Sequence, residues 1–446
     1  MQYSIIQKSQ LEGALRLDAE YYQPEYLGLI KNLDNLGAVP MGKVAENPKR
    51  KFNSQKGENF QYIEISEIDL STGEYNKSEI LGEDAPDRAQ WLVKQNDVIV
   101  STVRPIRNAV SLIRENAKNL VCSSGFAVLK SEKVEPEYLF TYLKTRPIIK
   151  LLDRKTTATM YPAITVEDIL ETKIYLGNQK FREGVKSLVI ESQTELENSK
   201  HLHFQAENLL LAELGLSESK AWENNDLFSI VNLLEVKKVN RIDAEYFQPK
   251  YDKLISKMKN QNTKLLGDLV SIKKGIESGA EEYQEEGKLF IRVSSLSKDG
   301  ITDKDQKYLN DKLYQELKKD FEPKTDEILL TKDATPGIAY VLKEPLEGIV
   351  AGGVLRLKVK EDVDAEYLTL CINSIIGQAQ AERDAGGSVI AHWKPEQIKN
   401  ILIPILPKPI QQKIADLVRQ SHEARKKAKE LMEEAKQKVE KLIEGK

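Results

Sequence analysis

Residues Arg16–Tyr26 read RLDAEYYQPEY, and residues Arg241–Tyr251 read RIDAEYFQPKY. Eight of the eleven positions are identical; the other three exchange Leu for Ile, Tyr for Phe and Glu for Lys. An internal duplication explains such a match and chance does not. The offset of 225 also holds upstream, where Ser4-Ile5-Ile6 aligns with Ser229-Ile230-Val231. Two copies at so long a period are two domains of one kind in one polypeptide, not a solenoid.

Downstream the offset settles at 229–230 and the framework stays in step. Phe60–Ile65 alternates like a strand and answers Leu289–Val293. Asp97-Val98-Ile99-Val100-Ser101 matches Glu327-Ile328-Leu329-Leu330-Thr331, a short apolar run of the kind that forms a buried strand. Each run opens into a polar loop and a further strand, TVRPIRNAVSLI in the first copy and KDATPGIAYVL in the second. Another strand follows at Ser124–Leu129 and at Gly353–Leu357, and then a helix carrying Glu137-Tyr138-Leu139 or Glu366-Tyr367-Leu368. A second polar loop, DRKTTATMYP against RDAGGSVIAHW, leads to a short helix at 166–169 or 395–398 and a last strand at 173–176 or 402–405. The loops differ while the framework repeats, and loops on a rigid scaffold are where function is carried.

Each copy closes in a long helical stretch. In the second, Ile410, Ile414, Leu417, Ser421, Ala424, Ala428, Leu431, Ala435 and Leu442 fall on steps of three and four, a coiled-coil seam. In the first, Val185, Leu188, Val189, Leu196, Leu202, Ala206, Leu209, Leu210 and Leu214 form a wider stripe. Each stripe needs a mate, and the economical mate is the other helix. A pseudo-twofold relation between the copies makes the pair antiparallel. The expected fold class is therefore α+β: two pseudo-symmetric mixed α/β domains separated by a long antiparallel two-helix coiled coil. The expected boundaries are domain 1 at 1–180, a spacer helix at 181–217, a linker at 218–228, domain 2 at 229–407 and a second spacer helix at 408–446. A helix from Val185 to Leu216 rises about 47 Å at about 1.5 Å per residue, so the pair would act as a spacer.

At 446 residues, 40% of them hydrophobic and 30% charged, the chain reads as soluble and globular. It holds no apolar run near the length of a membrane span. Cys122 and Cys371 do not occupy equivalent places, which argues against a repeat-specific metal or redox pair and fits a cytoplasmic location. A net charge of −3 excludes a histone-like field but leaves room for basic loops. There is no G-x-x-x-x-G-K-[ST] loop, no G-x-G-x-x-G after a strand and no Asn/Asp-Pro-Pro-Tyr/Phe tetrapeptide. His201 and His203 stand two apart on a helix and face different ways. Glu434-Ala435-Lys436 lies within the C-terminal heptads, where a salt-bridged face is expected. No catalytic constellation, cofactor or metal site is expected.

Two domains that each open with R-x-D-A-E-Y-[YF]-x-P and close in a long helix resemble the specificity (S) subunits of type I restriction–modification enzymes. The resemblance spans essentially the whole chain. It also rests on the strand-loop-strand units at 97–113 and 327–342, and on an Ile-Pro-x-x-Pro-x-x-x-Gln-x-x-Ile run. That run stands here as Ile403-Pro404, Pro407, Gln411-Gln412 and Ile414, and it is degraded in the first copy to Ile174-Tyr175 and Arg182-Glu183. The resemblance implies a non-catalytic DNA-binding subunit whose target-recognition domains each read half of a bipartite, asymmetric double-stranded DNA site. It implies two methylation (M) subunits as partners, and restriction–translocation (R) subunits through them.

The reading residues are then expected in the differing loops. They are Arg104, Arg107, Arg154, Lys155, Thr156 and Thr157 in the first copy, and Lys332, Asp333, Thr335, Arg383, Ser388, His392 and Lys394 in the second. Lys273 and Lys274 are further phosphate candidates. Arg grips guanine in two places, Asp accepts from cytosine, and Ser and Thr adapt to either; Lys and the remaining Arg hold phosphate. Tyr22 and Phe247 of the lead-in motifs are candidates for docking the M subunits or for packing the core. Two rival readings stay open here. One is a bivalent protein- or peptide-binding adaptor with a coiled-coil spacer, favoured by the near-neutral charge. The other is an enzyme with an unfamiliar motif, disfavoured by the missing ones.

Overall fold

A computed structural model describes residues 4–6, 16, 18–157, 160–216, 228–360, 362–386 and 390–445. The linker expected at 218–228 lies outside the described residues except for Phe228. The chain divides into two compact units, Met1–Leu196 with Arg425–Lys446, and Glu197–Ala424. Each unit is mixed α/β.

The first unit begins with α1 (Pro24–Asn35), whose Pro24 stands in the first turn, where its missing N–H leaves no bond unmade. The strands β1 (Asn59–Ile63), β2 (Ser78–Leu81), β3 (Ala89–Leu92), β4 (Val98–Ser101), β5 (Val110–Leu112), β6 (Leu120–Ser123) and β7 (Phe126–Leu129) follow. They form two sheets, of order β2-β1-β6-β3 and β5-β4-β7. The β1–β6 pairing is parallel, with Gln61 opposite Leu120. Helices α2 (Pro136–Leu143), α3 (Arg146–Asp153) and α4 (Val166–Glu171) complete the domain before α5 (Gln179–Glu213).

Every residue of β4 is buried. Its side chains alternate between two cores, as the period of two requires. Val98 and Val100 face α2, α3 and the long helices, while Ile99 faces a smaller core with Ile63, Cys122 and Val128. The turn after β1 is built on Asp69, whose Oδ1 accepts from the Ser71 and Thr72 N–H groups at 3.0 and 2.8 Å. Burial pushes the Asp69 carboxyl up, but the Ser71 hydroxyl, which donates to Oδ1 at 2.6 Å, the Thr72 N–H and the Arg425 and Lys429 charges outweigh it and hold it at about 2. The turn ends at Gly73, with φ of +75° and a Cβ position only 2.5 Å from the Phe140 ring, so no side chain fits.

The second unit contains α6 (Leu233–Val239), α7 (Pro249–Lys259), β8 (Val270–Lys274), β9 (Lys288–Ile291), β10 (Lys307–Leu309), α8 (Asp311–Phe321), β11 (Ile328–Thr331), β12 (Ala339–Val341), β13 (Gly348–Val350) and β14 (Val354–Val359). Its larger sheet has order β8-β14-β11-β12 and its smaller one β10-β9-β13. Parallel pairing recurs between β9 and β13, with Leu289 opposite Gly348. Buried β11 alternates as β4 does: Ile328 and Leu330 enter the large core and Leu329 the small one. Helices α9 (Ala365–Asn373), α10 (Ile375–Asp384), α11 (Pro395–Lys399) and α12 (Lys408–Glu444) follow. The acid preceding the buried strand is paired in both units. Asp97 meets Arg50 in the first. In the second, Glu327 holds Arg356 through Nε–Oε2 at 2.8 Å and Nη2–Oε1 at 3.1 Å.

The long helices pair antiparallel in each unit. In the first, Val185 and Val189 share a core with Met432, Ala435, Val439 and Ile443, and Ser192 Oγ donates to the Ala428 carbonyl at 2.7 Å. In the second, Ala206, Leu210 and Leu214 pack with Ile414, Ala415 and Val418, and Ser421 Oγ donates to the Ser199 carbonyl at 2.7 Å. Partner numbers fall on α12 as they rise on α5. Ser192, Ser199 and Ala206 are spaced by seven, as are Ser421, Ala428 and Ala435. Residues this small bring the backbones close enough for a hydroxyl to reach the opposite carbonyl. That closeness moves the larger side chains aside. Leu188, Leu202, Leu209, Leu417, Leu431 and Leu442, expected in the seam, lie half-buried at its flanks.

Candidate nucleic-acid interface

In both units the loop leaving the buried strand is pinned to the loop that follows the second helix of the helix pair. Val103 bridges Ala163 and Thr157 bridges the same residue; in the second unit Asp333 and Gly386 both bridge His392. At the tip, Arg104 N–H donates to the Pro162 carbonyl at 2.7 Å, and Ala334 N–H donates to the Ala391 carbonyl at 2.9 Å. Arg104 and Ala334 both adopt left-handed backbone, with φ of +49° and +58°. A non-glycine residue there costs on the order of 1 kcal/mol, and an N–H bond across the loops opposes that cost in each copy. The backbone frame at the crossing is thus the same, while the turn that follows it and the side chains differ.

The first tip carries Arg104 above the Tyr161 ring at 5.5 Å. Arg107 is exposed and closes a short turn with its N–H on the Arg104 carbonyl at 2.9 Å. Ile106, Met160 and Tyr161 are exposed beside them. The sequence reading passed over these three, although large apolar residues in a polar loop are themselves a signal. Thr157 is exposed in the second loop, at its bridge to Ala163. Lys155 reaches the Asp168 carbonyl at 3.0 Å and Glu171 at 3.1 Å, and Thr156 Oγ1 donates to the Asp153 carbonyl at 2.7 Å.

The second tip carries a chain of polar contacts. Lys332 Nζ pairs with Asp333 Oδ2, and Asp333 Oδ1 meets His392 Nδ1 at 2.8 Å. Thr335 and Lys394 are exposed, and Trp393 between His392 and Lys394 is buried, with its backbone N–H on the Lys332 carbonyl at 2.7 Å. Ser388 lies outside the described residues. Lys273 and Lys274 are exposed at the end of β8. Gly275 follows them, where a Cβ would come within 2.1 Å of the Ala351 carbonyl.

Arg154 and Arg383 occupy equivalent places and stand on the lead-in motifs. Arg154 lies 3.7 Å above the Tyr21 ring and donates to the Tyr21 carbonyl at 2.5 Å. Arg383 lies 5.3 Å from the Tyr246 ring. The motif arginines approach the same rings, Arg16 at 4.8 Å and Arg241 at 4.7 Å. Each also binds its aspartate with two bonds, Arg16 to Asp18 and Arg241 to Asp243. Those bonds hold both aspartates below the usual carboxylate range. The repeated motif therefore builds a cation–aromatic cluster. Tyr22 is buried, with its Oη donating to the Arg16 carbonyl at 3.0 Å, while Phe247 is half-buried edge-on to Tyr246 at 4.9 Å.

Among the described residues no group of three or more His, Cys, Asp or Glu is placed to hold a metal ion, and no helix is long and apolar enough to cross a membrane. Both thiols are buried; burial pushes that of Cys371 up to about 12.

Residues 258–440 match the type I restriction modification DNA specificity domain. The type I restriction enzyme HindI specificity subunit of Haemophilus influenzae is 22% identical over 188 residues, covering 41% of this chain and 39% of that protein. The match thus spans well under half the length of that curated relative. Among solved structures, the HsdS subunit from Thermoanaerobacter tengcongensis aligns over 92% of this chain and 96% of its own, at 18% identity and a TM-score of 0.34. The type I restriction-modification S subunit from M. genitalium aligns over 90% and 95%, at 13% identity and a TM-score of 0.39. The chain, which carries the match to the type I restriction modification DNA specificity domain over residues 258–440 and a like order of elements before it, is thus similar to the specificity subunits of type I restriction–modification systems.

Proposed function

We propose that the chain is the non-catalytic specificity subunit of a type I restriction–modification enzyme and works in the cytoplasm without a cofactor of its own. Its two target-recognition domains, residues 1–180 and 229–407, each read one half of a bipartite, asymmetric DNA site. The observation that carries this reading is the shared loop frame, in which Arg104 and Ala334 hold the same left-handed turn and present different side chains. One scaffold with two unlike tips suits two unlike half-sites. Half-buried Arg104 and the exposed Arg107, Thr157, Thr335, His392, Lys394, Lys273 and Lys274 are the readers and phosphate contacts in this account. Lys155, Thr156, Arg154 and Arg383 contribute by fixing the loop ends. Methylome sequencing of cells with and without the gene tests it. The expected result is a methylated motif of two defined half-sites that vanishes with the gene; an unchanged methylome overturns it.

The same reading calls for two M subunits, with R subunits joining through them. The second lead-in segment supports a docking role, because Phe228, Ile230, Leu233, Leu234 and Ile242 are exposed along it, and contiguous exposed apolar residues mark interaction surfaces. Tyr22 is too buried to meet a partner directly and supports the first lead-in from within, whereas half-buried Phe247 can do both. Native mass spectrometry of the complex is expected to give two M subunits per chain; one per chain contradicts the twofold arrangement.

A further inference from the structure

We propose that His392 reads a base bearing an exocyclic amino group, adenine or cytosine, in the half-site of the second domain, and that Asp333 is the residue that positions it. The inference rests on the DNA-reading function proposed above. Asp333, from its residue type alone, is a candidate acceptor for a cytosine amino group. Its geometry points to a second role: Oδ2 pairs with the Lys332 ammonium and Oδ1 meets His392 Nδ1 at 2.8 Å, so both oxygens are engaged within the protein. The contact defines the imidazole. A carboxylate only accepts, so Nδ1 carries the proton, and in the neutral ring Nε2 is then an acceptor. Nε2 lies on the ring edge turned away from Asp333, and the side chain is 61% exposed. Among the described residues no hydrogen bond is made to it.

An outward-facing acceptor cannot bind a phosphate oxygen or the guanine O6/N7 edge, which offer only acceptors. It complements the N6 amino group of adenine or the N4 amino group of cytosine in the major groove. The backbone supports the aim of the ring. His392 is bridged to both Asp333 and Gly386, and its neighbour Trp393 is buried. Reading by His392 is thus built into the crossing of the two loops.

The test uses the full chain with its methylation subunit. Methylated sequences are determined in cells carrying the wild type, H392A, D333A and the double variant. H392A is expected to relax one adenine or cytosine position of one half-site on the order of tenfold and to leave the other half-site unchanged. D333A should relax the same position, and the double variant no further, because the two act as one unit. Binding by the purified complex to duplexes with purine for adenine, or 2-pyrimidinone for cytosine, tells which amino group is read: the wild type loses affinity on one of these and H392A does not. Weakening spread evenly over all sequences marks a phosphate contact and overturns the inference. So does a half-site that changes when residues 332–337 are replaced by residues 102–107 but not in H392A; that result leaves DNA reading by the domain intact. Methylation that ignores every one of these changes overturns the underlying function, and the inference with it.

Discussion

Replacing Arg356 with Met should destabilise the second unit by about 3–5 kcal/mol, the cost of leaving one member of a buried ion pair without its partner. Arg356 and Glu327 are 3% and 8% exposed at their side chains. The guanidinium also donates to the Asp320 carbonyl at 2.7 Å, and Glu327 accepts from the Lys324 N–H at 2.8 Å. Every polar atom of the pair is thus committed to a partner, and a single substitution strands several. Changing both residues to apolar ones of similar size should recover most of the loss, since the desolvation of two charges goes with them. Hydrogen exchange read by mass spectrometry on peptides from β11 and β14 in urea resolves the effect within one unit, which a global melt of a two-unit chain does not. A loss below about 1 kcal/mol for Arg356→Met would fit an exposed pair and refute the buried one.

The second large effect is on sequence recognition. Arg104→Ala with Arg107→Ala should relax one half-site and leave the other untouched, by about 1–3 kcal/mol for each Arg that grips a base in two places. The loop should survive the change, because Ala334 already holds the same left-handed turn in the second unit with the same cross-loop bond. The loss therefore falls on recognition and not on folding. Methylome sequencing of the double variant with the same methylation subunit is the readout. Both half-sites changing together would refute two independent readers.

The parts of the fold legible in the sequence are those written twice and strongly. Asp97–Ser101 and Glu327–Thr331 were readable as buried strands because the apolar run is unbroken and recurs, and both form. Leu120–Ser123 and Gly348–Val350 were not read, although each supplies a parallel neighbour in its sheet. Three or four apolar residues without alternation carry too little periodicity to stand out. Pairing of the long helices was legible from heptads, but its seam was not, because Ser192 and Ser199 look like breaks in an apolar stripe until the backbones are seen to touch. At the site, Arg104 and Arg107 stand on a loop tip as expected. Arg154 and Arg383 were placed in the same class because charge in a polar loop says nothing about a tyrosine some 130 residues earlier in the chain. Tyr161 escaped notice for the opposite reason: aromatic residues usually belong to a core.

Strands β4 and β11 each stand between two cores, and the tip loops begin where they end, at Thr102 and Lys332. A loop rooted in a strand buried on both faces, and tied at its tip to a second loop, has few conformations to give up when it meets a ligand. Preorganisation of this kind lowers the entropic cost of association. In the DNA-reading function proposed above, such a tip discriminates among sequences with few contacts, and the rigidity that makes this possible resides in the buried strand behind it.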